Sequence, residues 1–339
     1  MKRTSALLAL VAAAGSLVSP ASAQETRPEN RNAAIRYATI FYTIDSDVLA
    51  KAAELDMSAV GYDKAKTPEA FKQAAEVIRT KGEGTVGELL EASRMIKCDF
   101  ELAYEKGFMV MLPHLSKMRS SVRMLRVDSR RVLLEGDDVG AAERLAAMIR
   151  MAGHARNDRT LISSLVSAAI CSVTLDETEA ALQAEKLTPE ARVIIASALD
   201  KIGTDDPFAM KAAIRGEQRL TALWIKQTFH GEAAGKKLVE TGLISTTEGN
   251  VKASQAIAVM NEAQLTTAVD VLNPYYDQVL AAWDKPDAVQ QLESLAQRVT
   301  NGEFGPMGQV LAPAVSKARA ASLKGEKRIQ EVKQKLAGK

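Results

Sequence analysis

The stretch from Leu112 to Leu182 carries three apolar periodicities in succession with almost no chain between them, and that leaves few choices of fold. Pro113 suits a first helical turn, where its missing N–H is not needed. Met118, Val122, Leu125, Ser129, Val132 and Leu133 then recur at three- and four-residue steps, which places them on one helical face. Lys117, Arg119, Arg123, Arg126 and Arg130 fall on the opposite face. Glu135-Gly136-Asp137-Asp138 supplies a glycine stop and an aspartate N-cap back to back. A turn of about two to four residues makes the two flanking helices antiparallel neighbours. The second helix presents Val139, Ala142, Leu145, Ala146, Ile149 and Ala152 on one side, and Gly153 is expected to end it. The third opens near Asn157-Asp158-Arg159-Thr160 and is apolar on nearly all sides, as expected of a helix covered by others.

The flanks read the same way. Helices are expected over 32–43, 48–55, from Thr67-Pro68-Glu69-Ala70 through Ile78, and over 85–96. The start signal returns as Thr188-Pro189-Glu190-Ala191 and opens a helix to Gly203. Asp205-Asp206-Pro207 caps the next, which runs through Gly216 to Phe229; Gly216 inside it allows a close approach. Shorter helices follow at 231–243, 252–260 and 262–282, the last bent or broken at Pro274, with a loop at 246–250. Another helix runs from the turn at 284–287 to Thr300. The closing helix starts near Pro306 or Pro313 and reaches about Leu336. Its Leu311, Val315, Ala318, Ser322, Gly325, Ile329, Val332 and Leu336 form a heptad-like seam, fit either to close a bundle or to pair two chains in a homodimer. Aromatic residues are only 4% and strand-type alternation is missing, so the fold class is all-α, antiparallel hairpins in an irregular bundle or short solenoid. One helical domain at 32–245 and C-terminal helices at 246–339, within the same domain or beside it, accommodate the length.

Residues 1–23 have the form of a secretory leader. Lys2 and Arg3 are followed by an apolar core from Ser5 to Val18 and by Ala21-Ser22-Ala23, so the mature chain is expected to begin at Gln24, with a flexible stretch at 24–31. No other run of about 18 apolar residues stands out, so no transmembrane segment is expected. The protein is expected to be exported, periplasmic or extracellular. Two of the 44 Lys and Arg lie in that leader, which leaves 42 against 42 Asp and Glu. A chain without basic surplus is a poor nucleic-acid binder. Cys98 and Cys171 could pair after export, although Cys171 sits in an apolar helix where a free buried thiol is common.

Two resemblances emerge from these residues. Gly136, Asp137, Ala141 and Leu145 stand where the second half of a tetratricopeptide unit has its glycine, turn residue, alanine and large apolar residue, so the hairpin resembles one such unit. Asp128 and Ser129 depart from the first half, and no second copy follows at a period of about 34 residues. The pattern Cys98-Asp99-aromatic, Gly107, then Leu112-Pro113-His114-Leu115-Ser116, with the later T-L-I-S-S-L-V run, resembles a group of exported all-helical planctomycete proteins over about residues 30–230. That resemblance implies a helical fold and carries over no catalytic residues.

Chemistry-bearing constellations are sparse. His114, His154 and His230 are far apart and belong to no zinc spacing, so no metal or cofactor is expected. Cys98, Asp99 and His114 have the residue types of a nucleophile, an acid and a base, but no nucleophile elbow or glycine-rich oxyanion loop accompanies them. The basic face at 117–131 has no interleaved aromatics of the kind that stack on bases. The function that fits is a non-catalytic scaffold binding a protein or peptide in a groove between hairpins. The alternative is an enzyme or small-molecule binder with an interhelical pocket near Asp99, His114 and Glu217, for which Tyr104 and Arg219 are further candidate ligand contacts.

Overall fold

The computed structural model describes residues 31–244 and 250–338, and the regular elements among them are all helical; the β-type pairing there is one isolated bridge, Asn32 to Lys97. The expected leader and most of the 246–250 loop lie outside the described residues. The fold is all-α. The N-terminal part comprises α1 (Ala33–Thr43), α2 (Ser46–Ala53), α3 (Glu69–Val77) and α4 (Glu83–Arg94). A wide π turn over Ile78–Gly82 joins the last two into one bent unit rather than two separate helices. The centre is α5 (Pro113–Leu134), α6 (Asp138–Ala155) and α7 (Leu161–Gln183), close to the three helices read from the sequence. Asp137 caps α6 by accepting from Gly140 N–H, and Gly136 takes the left-handed conformation before it. Gly153 does not end α6, which runs two residues further.

The most deeply enclosed of the three central helices is α6. Leu145, Ala146, Ala147 and Met148 are consecutive and each fully buried, while a strip through Glu143, Arg150 and Gly153 is half exposed. Its alanines let α4, α5, α7 and α8 (Pro189–Ile202) approach it together. By contrast α7 is not covered on all sides, contrary to expectation. Its inward residues include Ser163, Ser164, Ser167, Thr174 and Thr178, while Ile162 and Leu165 are 60% and 42% exposed. Small hydroxyl side chains fit a tight helix contact and satisfy themselves on backbone: Ser167 Oγ donates to Ala152 O at 2.7 Å, Thr174 Oγ1 to Ile170 O at 2.8 Å. By length and composition α7 could cross a membrane, but half of that apolar stretch is buried within the protein.

The arginine face of α5 is also only partly solvated. Arg126 and Arg130 reach the buried Glu177 of α7 at 3.0 and 2.6 Å. Arg130 lies 3.8 Å over the Tyr62 ring and donates to Val60 O, which ties the 56–67 connection to the core. Asp128 is buried between Arg131 and Arg144. These groups are polar in sequence and buried in fact because each has a partner.

The second half comprises α9 (Met210–Thr228), α10 (Ala234–Glu240), α11 (Val251–Ala258), α12 (Glu262–Asp270), α13 (Leu272–Trp283), α14 (Ala288–Thr300), α15 (Gly305–Leu311) and α16 (Ser316–Leu336). The break between α12 and α13 falls three residues before Pro274, whose missing N–H leaves the carbonyl of Asp270 without its helical donor. The heptad-like seam of α16 is spent inside the chain: Val315, Ala318, Ser322, Ile329, Val332 and Leu336 are buried, against α7, α8 and α14. A Cβ on Gly325 would lie 2.7 Å from the Phe208 ring, so only glycine lets the helix sit there. A homodimer through α16 would have to use its other faces. One hydrophobic cluster runs from Ala33 to Leu336, so the C-terminal helices share the core of the rest. With α16 back on α7 and α4 on α6, packing between sequence-distant helices gives a bundle; a solenoid repeat touches only its neighbours.

Candidate functional site

Three connections converge on one side of α9. The first is the irregular segment 95–103 after α4. Asn32 holds it by both ends of its side chain, donating from Nδ2 to Asp99 O at 2.7 Å and accepting from Asp99 N–H at 2.9 Å. The second is the 104–109 turn, in which Gly107 has φ +52°; a Cβ there would meet the Trp224 side chain at 2.4 Å. The third is the α6–α7 connection at 156–160. Its Arg159 carbonyl sits where a Cβ on Gly216 would be, at 2.2 Å, so the glycine read from the sequence as allowing a close approach does so against this turn. Arg159 itself is left-handed at φ +54°, and Thr160 opens α7 with a reciprocal capping box to Ser163.

Asp158 is the hub of these connections. Its Oδ2 accepts from His114 Nε2 at 2.8 Å, its carbonyl accepts from Tyr104 Oη at 2.8 Å, and it is itself buried. Phe100 stacks on the His114 ring with centroids 3.9 Å apart and planes at 19°. Arg156 donates to Ile202 O at 2.9 Å and to Pro207 O, which fixes the chain entering α9. There Asp206 accepts from the N–H groups of Met210 at 2.7 Å and Lys211 at 2.9 Å, the capping role its sequence position suggested.

Between these connections and α9 lies a cleft of about 1070 Å³. Asp99, Tyr104 and Arg219, three of the candidate residues, line it together. His114 does not; it stands behind Tyr104 on Asp158. Glu217 points away, its Oε1 accepting from Leu161 N–H at 3.1 Å at the start of α7, and burial raises its carboxyl above the ordinary range. The sequence reading missed Lys97, Arg156, Asp158, Arg159 and Lys226: the first four lie in connections between helices that carry no local sign of what faces them, and Lys226 is one more cation on a helix.

The acid–base character of the cleft is muted. Burial, and then the carboxylates of Asp158 and Asp99, push the Cys98 thiol up to about 12. The same causes push the Tyr104 phenol up to about 12, with Arg159 opposing. Cys98 lies outside any helix and Cys171 within α7; both cysteines are free and buried. The carboxylate that meets His114 is Asp158 rather than Asp99, so the Cys98, Asp99 and His114 grouping does not assemble as a relay. No known family, curated protein or solved structure matches the chain. The chemistry of the cleft must therefore be read from its own side chains.

Proposed function

We propose that this is an exported, non-catalytic helical scaffold that holds an extended segment of a protein or peptide in the cleft along α9. The observation that carries the reading is the length of the wall. Ala212, Gly216, Arg219, Leu220, Leu223 and Lys226 all line the cleft and recur at three- and four-residue steps, one continuous stripe of α9. From Ala212 to Lys226 the helix rises about 21 Å, the span of about six residues of extended chain. Ile96 and Leu223 on that lining are 75% and 47% exposed, which leaves apolar surface for side chains of an occupant. Export is read from the leader sequence, and the resemblance to exported planctomycete helical proteins supports it.

An enzyme or small-molecule pocket built from Asp99, His114 and Glu217 is the weaker reading. Glu217 serves the start of α7 and His114 serves Asp158. A thiol and a phenol held near about 12 are far from the neutral range in which general acid–base groups work best. The test is retention on an array of immobilised random octapeptides. Wild-type protein is expected to hold a reproducible subset, and Ala212→Trp, which fills the exposed floor of the cleft, is expected to lose it. Retention of none, or equal retention by Ala212→Trp, contradicts the reading.

A further inference from the structure

Charge names the class of occupant. The cleft lining carries five cationic side chains, those of Lys97, Arg156, Arg159, Arg219 and Lys226. Against them stand two carboxylates, Asp99 and Asp158. The chain beyond its leader has no net formal charge, so the excess of two positive charges that remains once Lys226 is set against Asp270 is a local feature, not a reflection of overall composition. Of the five, Lys226 is paired with Asp270 at 2.6 Å, but the other four meet no carboxylate partner in the cleft among the described residues. Asp158 is committed to His114, and Asp99 Oδ1 accepts from Glu101 N–H at 2.9 Å. Arg156 is held by two carbonyls, which leave its charge in place. Lys97, Arg159 and Arg219 are exposed and form no ion pair among the described residues. The arginines elsewhere on the surface commonly do: Arg36 with Glu91, Arg94 with Glu143, Arg79 with Glu76 and Arg298 with Glu303.

We infer that the occupant is an acidic peptide segment with apolar side chains between its carboxylates, its acids meeting Lys97, Arg159 and Arg219 and its apolar groups meeting Ile96 and Leu223. This rests on the peptide-cleft reading above. Arginine suits the part, since its planar fork takes a carboxylate through two parallel hydrogen bonds. An extended strand sends alternate side chains to opposite sides, so an occupant with alternating acidic and apolar residues can meet a rim of cations and an apolar wall at once. The segment is contacted at exposed groups, so attraction is expected to be screened by salt.

Fluorescence anisotropy with three labelled octapeptides decides it: alternating glutamate and leucine, alternating glutamine and leucine, and alternating lysine and leucine. The full mature chain and its Arg159→Glu plus Arg219→Glu variant are compared, with melting curves to confirm that both are folded. Neither arginine supports the fold through an ion pair, so equal melting is expected. The glutamate peptide is expected to bind wild type at least about tenfold more tightly than the other two, and to lose at least about tenfold on charge reversal and on raising salt. If all three peptides bind wild type equally, the acidic class is wrong while the peptide cleft stands. If none binds, the peptide-cleft reading itself fails and this inference with it. If the glutamate peptide binds the reversed variant unchanged, Arg159 and Arg219 do not recognise it and the inference is overturned.

Discussion

His154 is held in a single tautomer. Its Nε2 lies 2.9 Å from the Met95 carbonyl and must donate, so Nδ1 accepts the Tyr37 hydroxyl at 3.0 Å. Burial is the first cause that pushes its pKa down, to about 4. An unfolded histidine takes up its proton near pH 6.5, so between about 6.5 and 4 the unfolded chain binds more protons and folding weakens as pH falls. The loss is expected to be about 2 kcal/mol on going from pH 7 to 5. Urea melts at both pH values should show that slope in wild type and a shallower one in His154→Gln; equal slopes would mean that the ring is not kept neutral. The buried Glu177 gives the complementary case. Glu177→Ala strands Arg130 in the interior and takes the partner from half-buried Arg126, and is expected to cost about 3–5 kcal/mol in the same melts, while exposed Arg123→Ala costs under about 0.5 kcal/mol. Arginine spacing on α5 could not distinguish these residues, because burial of a charge depends on a partner from a distant element.

At the scale of elements, periodicity located most helices and misjudged some ends and faces. The same four residue types, Thr-Pro-Glu-Ala, occur twice with different outcomes. Thr188 caps α8 by accepting from Ala191 N–H, whereas Thr67 gives its hydroxyl to Asp63 O and leaves α3 without a side-chain cap. The stripe of α6 was readable from Val139 to Ala152, but the burial of Ala147 and Met148 beyond it was not, since alanine is compatible with either environment. Leu145→Ala is expected to cost about 2–5 kcal/mol, because a fully buried leucine leaves a cavity. Gly216→Ala is expected to cost about 1–3 kcal/mol, since the added methyl must displace the Arg159 backbone. Chemical denaturation measures both; wild-type stability in Gly216→Ala would mean that the α6–α7 connection does not bear on α9 as described. The expected apolar enclosure of α7 failed for a related reason. Serine and threonine can face inward wherever a backbone carbonyl takes their hydroxyls, and composition alone counts them as polar.

At the scale of the whole molecule, the all-α class was legible because strand alternation was missing and stop–start signals recur throughout. The candidate site was legible in part. Asp99, Tyr104 and Arg219 do line one cleft, but Lys97, Arg156 and Arg159 come from connections whose meeting depends on α9 returning across the α6–α7 connection. Most of the chain is engaged in its own packing, including the seam of α16, while Leu223 on the α9 stripe stays in the open. Leu223 separates the two roles, being half exposed and on the cleft lining. The most direct measurement is therefore the affinity of Leu223→Asp for the glutamate–leucine octapeptide, read beside its melting temperature. A surface that serves binding predicts a loss of at least about tenfold in affinity with melting within about 2 °C of wild type. Unchanged affinity, or affinity lost only together with the fold, would contradict the assignment of this face of α9 to a partner.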